Sequence, residues 1–326
     1  MKKLFFITHV FLAVLLFASC KKDTNEFVPH DGQQLDSAWT TNVTANSQVL
    51  ILSRSLEGSF SVQELSNLLL DTVVTTSTGV QLSFPLNGLL LNGTALTGGL
   101  KIEFVLLQKK GDFIRYGVPT SINRYPLESG GALHIKLTSN GQPVTLAGNK
   151  KLSIRYRDAA PKQGMSVFYG NTTVVTNSLL FNWEQATDNS TVKLWDSINI
   201  NPAAKGYLLE TYKTGWVHVG RPLEALQPRV EVKAVVPDLF SNANTAVYMI
   251  FKNSRTVVQL SGNANTRNFS FPNIPTNQEV KFVAISKVGS SYYLGAKDEV
   301  ISANTVSFIK PELSSLSSII NFLNSL

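Results

Sequence analysis

The chain has 326 residues, a formal net charge of +7, a hydrophobic fraction of 43% and only 16% charged residues. That length allows one large or two modest domains, and the charged fraction is below the usual quarter, while Ser, Thr and Asn are abundant. The basic excess is mild and no dense Lys/Arg block occurs, which argues against nucleic acid as a partner.

The N-terminus, MKKLFFITHVFLAVLLFASC, has two lysines, a mostly apolar run from Leu4 to Phe17, and the small pair Ala18-Ser19 before Cys20. That is the layout of a secretory signal peptide over residues 1–19. The run falls short of the ~20 apolar residues of a spanning helix. Cys20 is the single cysteine, so it has no partner within the chain for a disulfide. A cysteine directly after two small residues resembles the lipobox of bacterial lipoproteins, although Phe17 stands where that box usually has Leu, Val or Ile. The resemblance implies diacylation of the Cys20 thiol, cleavage before it and acylation of the new amine. Two or three acyl chains hold a protein stably in a membrane, at about 0.8 kcal/mol per buried methylene. Loss of residues 1–19 removes Lys2 and Lys3 and no acid, so the +7 falls by two.

Residues 20–37 are polar, with Pro29 and Gly32, and read as a lipidated tether. A flexible coil of that length spans about 20–25 Å. The start after the cysteine resembles the surface-export signal of Bacteroidota lipoproteins, with Lys21 and Lys22 outweighing Asp23. The expected location is the outer membrane, by lipid anchor, with the face left open.

The segment SVQELSNLLLDT opens with the capping box Ser61…Glu64 and places Val62, Leu65, Leu68 and Leu69 on one helical face, predicting a short helix near residues 62–71. Strands follow. Val80, Leu82 and Phe84 alternate with polar residues, as do Leu100, Ile102 and Phe104, then Leu133, Ile135 and Leu137, and Leu152, Ile154 and Tyr156. Asn140-Gly141 between two such runs predicts a tight hairpin, because both residues tolerate positive φ. The period-2 pattern indicates antiparallel sheets with a buried face. A first β-sandwich is expected over 38–168 and a β-rich connecting region over 169–228. A second β domain is expected over 229–310, with TAVYMIF (245–251) as its central strand and a hairpin around Gly289, Ser290 and Ser291. The end, 311–326, is expected as an amphipathic helix from Pro311 with a stripe of Leu313, Leu316, Ile320, Leu323 and Leu326. The fold class is therefore mainly β: two antiparallel β-sandwich-like domains with two short helices.

The run TGVQLSFPLNGLLLNGTALTGGLKIEFVLLQ followed by PLESGGALHIKLTSNGQPVTL resembles the β-sandwich module of ankyrins, zonula occludens proteins and netrin receptors. It covers residues 78–157, about a quarter of the chain, and a similar arrangement occurs in Bacteroidota outer-membrane lipoproteins of unknown function. GYLLETYKTGWVHVGRPLE is similar to a second element of those lipoproteins, with His218 at a position they fill with Asn. The resemblance implies an interaction or structural module with no catalytic residues.

Patterns for chemistry are sparse. There is no G-x-S-x-G, H-E-x-x-H, phosphate-loop or EF-hand sequence. His134 falls on the polar face of its strand and is expected in solvent. His218 stands near Glu210 across a possible hairpin, a weak general-base hint against which cross-strand pairing is the plainer reading. Asp238, Asn242 and Asn244 offer oxygens, too few for calcium, and Asp and Asn favour turns. No metal site or cofactor is expected. Trp183, Trp195, Trp216, Tyr207 and Tyr212 cluster in sequence. Exposed, they are candidate ligand-binding aromatics for sugars or a protein partner; buried, they fill the join between two sandwiches. The expected function is a lipid-anchored, non-enzymatic envelope protein in adhesion, assembly or scaffolding. Its expected partners are the membrane, through its acyl chains, and an envelope protein or glycan. The alternative is a carbohydrate-binding accessory lipoprotein of a glycan-uptake system, and hydrolysis ranks below both.

Overall fold

A computed structural model describes residues 37–66, 73–85, 87–175, 178–197, 204–224 and 226–326, with backbone alone for 172–175 and 178–180. Cys20 and nearly all of the expected tether lie outside them. Among the described residues no helix is long and apolar enough to cross a membrane.

After helix α1 (Gln48–Leu56) come β1 (Ser61–Leu65), β2 (Val73–Thr75), β3 (Gln81–Ser83), β4 (Leu89–Leu91), β5 (Thr94–Ala95) and β6 (Leu100–Leu107). Helix α2 (Lys110–Arg115) precedes β7 (Ser121–Ile122), β8 (Tyr125–Ser139), β9 (Gln142–Leu146) and β10 (Leu152–Arg157). Then follow β11 (Ser166–Val175), β12 (Ser178–Gln185), β13 (Thr191–Ser197), β14 (Ala204–Thr211) and β15 (Gly215–Pro222). These strands build a ten-stranded sheet, β12-β11-β15-β8-β9-β4-β5, in which β6 and β7 also pair with β8, and β1 pairs with β6. A five-stranded sheet, β13-β14-β10-β3-β2, packs against it. Residues 169–228, expected to connect two domains, instead supply strands to both sheets of the first sandwich.

The second set is β16 (Arg229–Val235), β17 (Thr245–Phe251), β18 (Val257–Asn263), β19 (Asn268–Pro275), β20 (Glu279–Val288), β21 (Ser291–Val300), β22 (Val306–Phe308) and β23 (Glu312–Ser314), closed by helix α3 (Leu316–Asn324). Its eight strands run β22-β16-β19-β18-β17-β20-β21-β23. The start of β18 pairs with β17 and its end, from Ser261, with β19. The sheet thus folds over on β18 and encloses a core of Val232, Val247, Met249, Phe271 and Phe282.

The alternating strands behave as their periodicity requires. Val80, Leu82, Phe84, Ile102, Phe104, Leu133, Ile135, Ile154 and Tyr156 all fill the first sandwich. The hairpin turns at Asn140 and Gly141, φ 49° and 77°, with Ser139 opposite Gln142. A two-residue turn, Gly289-Ser290, joins β20 to β21, with Val288 opposite Ser291. Strand β17 is buried at all seven positions and central, between β18 and β20.

Two expectations about helices are corrected. Residues 61–65 form strand β1, not a helix; Ser61 to Leu65 pair antiparallel with Phe104 to Leu100. The capping-box pattern is overridden because β6 offers an edge whose backbone groups must be satisfied; residues 67–72 are outside the described set. The C-terminal helix starts at Leu316, not Pro311. Ser315 is its N-cap, the side chain accepting from the Ser318 amide at 3.1 Å, and Leu313 sits exposed on β23. The helix buries Ile319 and Leu323.

A third apolar cluster joins the two sandwiches. It takes Phe168, Trp183, Leu127 and Ala132 from the ten-stranded sheet and Ala246, Tyr248, Ile250, Val283 and Ile285 from the second sandwich. The three helices contribute Leu52, Leu56, Phe113, Ile114, Ile319 and Leu323. Backbone bonds cross the join: the Thr120 amide donates to the Val257 carbonyl at 2.7 Å and the Ser129 amide to the Arg255 carbonyl at 2.9 Å. Helices α2 and α3 approach so closely that a Cβ at Gly111 would lie 1.8 Å from the Leu323 carbonyl oxygen. Since backbone cannot yield as a side-chain tip does, Gly111→Ala is expected to destabilise by roughly 1–3 kcal/mol. A lowered urea midpoint with an unchanged m-value checks this.

Candidate functional site

Alternation scatters the five aromatics. Trp183 is fully buried in the join, donating its indole N–H to the Pro119 carbonyl at 2.8 Å. Trp216 is half-buried against the same cluster. Tyr207, 1% exposed, points into the first sandwich, where its hydroxyl accepts from the Lys162 amide at 2.6 Å. Trp195 and Tyr212 belong to neither group and carry cations: Arg155 lies 3.8 Å over the Trp195 ring and Lys151 5.1 Å over Tyr212. No common platform forms.

The histidines are also relocated. His134 is not in solvent: Phe60 and Trp216 pack on it at ring distances of 5.2 and 4.9 Å, and its Nδ1 is buried without a partner. Burial, with Lys136 nearby, lowers its pKa. His218 and Glu210 form no hairpin pair, because β14 and β15 lie in different sheets and residues 212–214 cross between them. Glu210 accepts from Thr191 at 3.0 Å and stands 3.8 Å from Lys151.

Sequence reasoning missed what His218 does contact. Its Nε2 lies 2.9 Å from the Ser129 hydroxyl oxygen, which also accepts from the Gly131 amide at 2.9 Å. A Ser–His pair beside two glycines has the parts of a nucleophile and base. The surroundings oppose that use. His218 is fully buried, Trp183 covers it at 4.7 Å, and its Nδ1 has no acceptor to orient a cation. Burial pushes its pKa down to about 3, so it is neutral at ordinary pH. Ser129 is 4% exposed.

The neighbouring charges are tied in pairs. Glu128 takes Arg221 at 2.8 and 3.0 Å and the Lys162 ammonium. Asp158 takes Arg255 at 2.7 Å, linking the end of β10 to the turn before β18. On the loop 238–244, Asn242 bonds both backbone groups of Thr40, at 3.0 and 2.6 Å. Asn244 accepts from the Ser241 amide and the Thr245 hydroxyl. These amides are spent on turn chemistry, and among the described residues no His/Cys/Asp/Glu cluster is arranged to hold a metal.

The outer face of the five-stranded sheet differs. By register, Trp195, Gly206 and Arg157 form one row, and Lys193, Leu208, Arg155 and Gln81 the next. The Trp195 indole N–H reaches across β14, where Gly206 has no side chain, to the Tyr156 and Tyr207 carbonyls at 3.1 and 3.0 Å. The ring lies down on the sheet and Arg155 stacks on it.

For Glu128, burial raises the pKa, and the bonds from Lys162 and Arg221 outweigh that and hold it below its ordinary 4.5. A pKa depressed by folding gives stability that is complete above the unfolded value and lost as pH falls through the folded one. Glu128→Gln is therefore expected to lower stability at pH 7 by about 1–3 kcal/mol, with the gap to wild type closing below about pH 4.5, read by urea titration across pH. A serine-reactive phosphonate is expected to leave Ser129 unmodified in the folded protein, read by intact mass. No protein-family model matches this chain, and no curated protein matches it.

Proposed function

We propose that the chain is an exported lipoprotein, anchored in the outer membrane by acyl groups on Cys20, that serves the cell envelope as a non-catalytic display scaffold in adhesion or assembly. The observation that carries the reading is the join. The side chains capable of chemistry near it, Ser129, His218, Glu128, Asp158 and Arg255, are consumed in holding sheets and sandwiches together. Two sandwiches so coupled leave their outer sheet faces to meet a partner. The signal-peptide layout and the lipobox-like Ala18-Ser19-Cys20 supply the address.

A glycan-uptake accessory acting through the five aromatics has less support. Trp183 and Tyr207 are buried, and Trp195 has its N–H occupied and its ring beneath Arg155.

In the native host, a palmitate analogue is expected to label the wild-type protein and not Cys20→Ser, and the variant is expected to leave the membrane fraction. Equal label in both proteins would remove the anchor. Mild crosslinking of the anchored protein is expected to recover a specific envelope component, and a clean monomer alone would count against scaffolding.

A further inference from the structure

From the outer face of the five-stranded sheet we infer a binding surface for an acidic polysaccharide, centred on Lys193, Arg155 and Arg157. This inference rests on the envelope-display reading and names the partner of one displayed face.

The three cations project from the same face by register. Among the described residues, none of them forms a salt bridge with a carboxylate, whereas Glu103, Glu128, Asp158 and Asp298 are each paired with cations elsewhere. Glu210, the acid on that face, is engaged by Thr191 and Lys151. The result is a group of three cations without carboxylate partners on one sheet face.

Spacing selects the ligand. Lys193 and Arg155 sit two strands apart, about 10 Å, and Arg155 and Arg157 two residues apart, about 7 Å. A lone phosphate or carboxylate would engage these side chains only by drawing their ends together, whereas a chain bearing anions in series meets all three where they stand. Arg155 is held flat by its stack on Trp195, so its guanidinium is pre-organised to meet a carboxylate or sulfate edge-on. Between and beside the cations lie Ser153, Ser83, Gln81 and Thr191, which suit a partner covered in hydroxyl groups. The face lacks the free aromatic platform that single-stranded nucleic acid stacks on, because Trp195 is already covered. It also lacks the protruding apolar stripe of a membrane-surface element; Leu208, in its middle, is half-buried.

The test uses the full-length chain in detergent, so that it reads binding independently of whether Cys20 is acylated. Polygalacturonate and heparin are immobilised beside neutral dextran. Retention on the two acidic polymers and not on dextran is expected, weakening as salt shortens the Debye length. The triple variant Arg155→Ala, Arg157→Ala, Lys193→Ala is expected to lose at least tenfold in affinity. The triple Lys101→Ala, Lys233→Ala, Lys297→Ala, which removes the same number of charges from ion-paired, at least partly exposed sites elsewhere, is expected to lose less than twofold. Arg157→Ala alone, at an exposed position, gives a partial loss and guards against unfolding of the triple, which a melting curve reports. Absence of retention overturns the inference, as does equal loss in the two triples. Tighter capture by duplex DNA or by phosphatidylglycerol vesicles through the same three residues would also overturn it. Loss of palmitate labelling with polysaccharide binding intact would remove the anchor and leave this surface standing.

Discussion

The structure depends on one requirement: two of its sheet layers carry apolar side chains on both faces, and each face needs a cover. Strand β17 shows it best. Val247, Met249 and Phe251 line the core of the second sandwich, while Ala246, Tyr248 and Ile250, pointing the other way, enter the join. In the ten-stranded sheet, Val217 and Val219 face the first core, and Phe168 and Trp183 face the join. Neither sandwich can therefore stand with its inner sheet in water without exposing a large apolar patch. The sandwiches meet, and the helices fill the gap that two twisted sheets leave. Arg115 locks the helices, bonding the Leu56 carbonyl from its Nε and the Asn324 side chain from its Nη1.

Such a join carries a polar cost, and the buried polar groups show how it is met. The Thr256 hydroxyl donates to the Leu127 carbonyl, and the Val257 amide donates to the Thr120 hydroxyl. Lys110 donates to the Phe251 and Lys252 carbonyls, tying α2 to the end of β17. Buried ion pairs add little net stability over apolar substitutes, but removal of one partner strands a charge. Asp158 with Arg255 is thus better understood as fixing how the sandwiches seat than as glue. His218 is tolerated in the same cluster only because burial keeps it neutral.

Strand periodicity was the legible part of the sequence. Alternation identified the inward residues of β3, β6, β8 and β10, and the two-faced apolarity of TAVYMIF announced a strand covered on both sides. What it announced, a second cover supplied by the other sandwich, needed tertiary structure to see. Helices were less legible. Ser61…Glu64 had the capping spacing but lies on a strand, while α1, with Leu52 and Leu56 one turn apart and buried, has only Ser47 as a start signal and no side-chain cap bond. The aromatics misled for a geometric reason. Strands β12 and β15 belong to the ten-stranded sheet and β13 and β14 to the five-stranded one, so residues close in sequence land in the join, on an outer face and in a core. The same crossing separates His218 from Glu210, and the Ser129–His218 contact spans 89 residues with no local pattern to mark it.

Recognition by strand addition would need a long exposed edge, and several edges among the described residues argue against it. β2 and β22 have three residues each, and β22 pairs in parallel. The Asn182 amide is bonded to Asn123 across the flank of β12, and β13 carries Lys193 and Asp196. Short and charged edges are the usual protection against unplanned pairing. The C-terminal helix is equally unavailable, since its apolar side closes the join. A partner can also use the faces turned to water, where the outer surface of the five-stranded sheet presents Lys193, Arg155 and Arg157 without carboxylate partners among the described residues. Recognition through such a flat, charged face would follow ionic strength, because its attraction is carried by charges that salt screens.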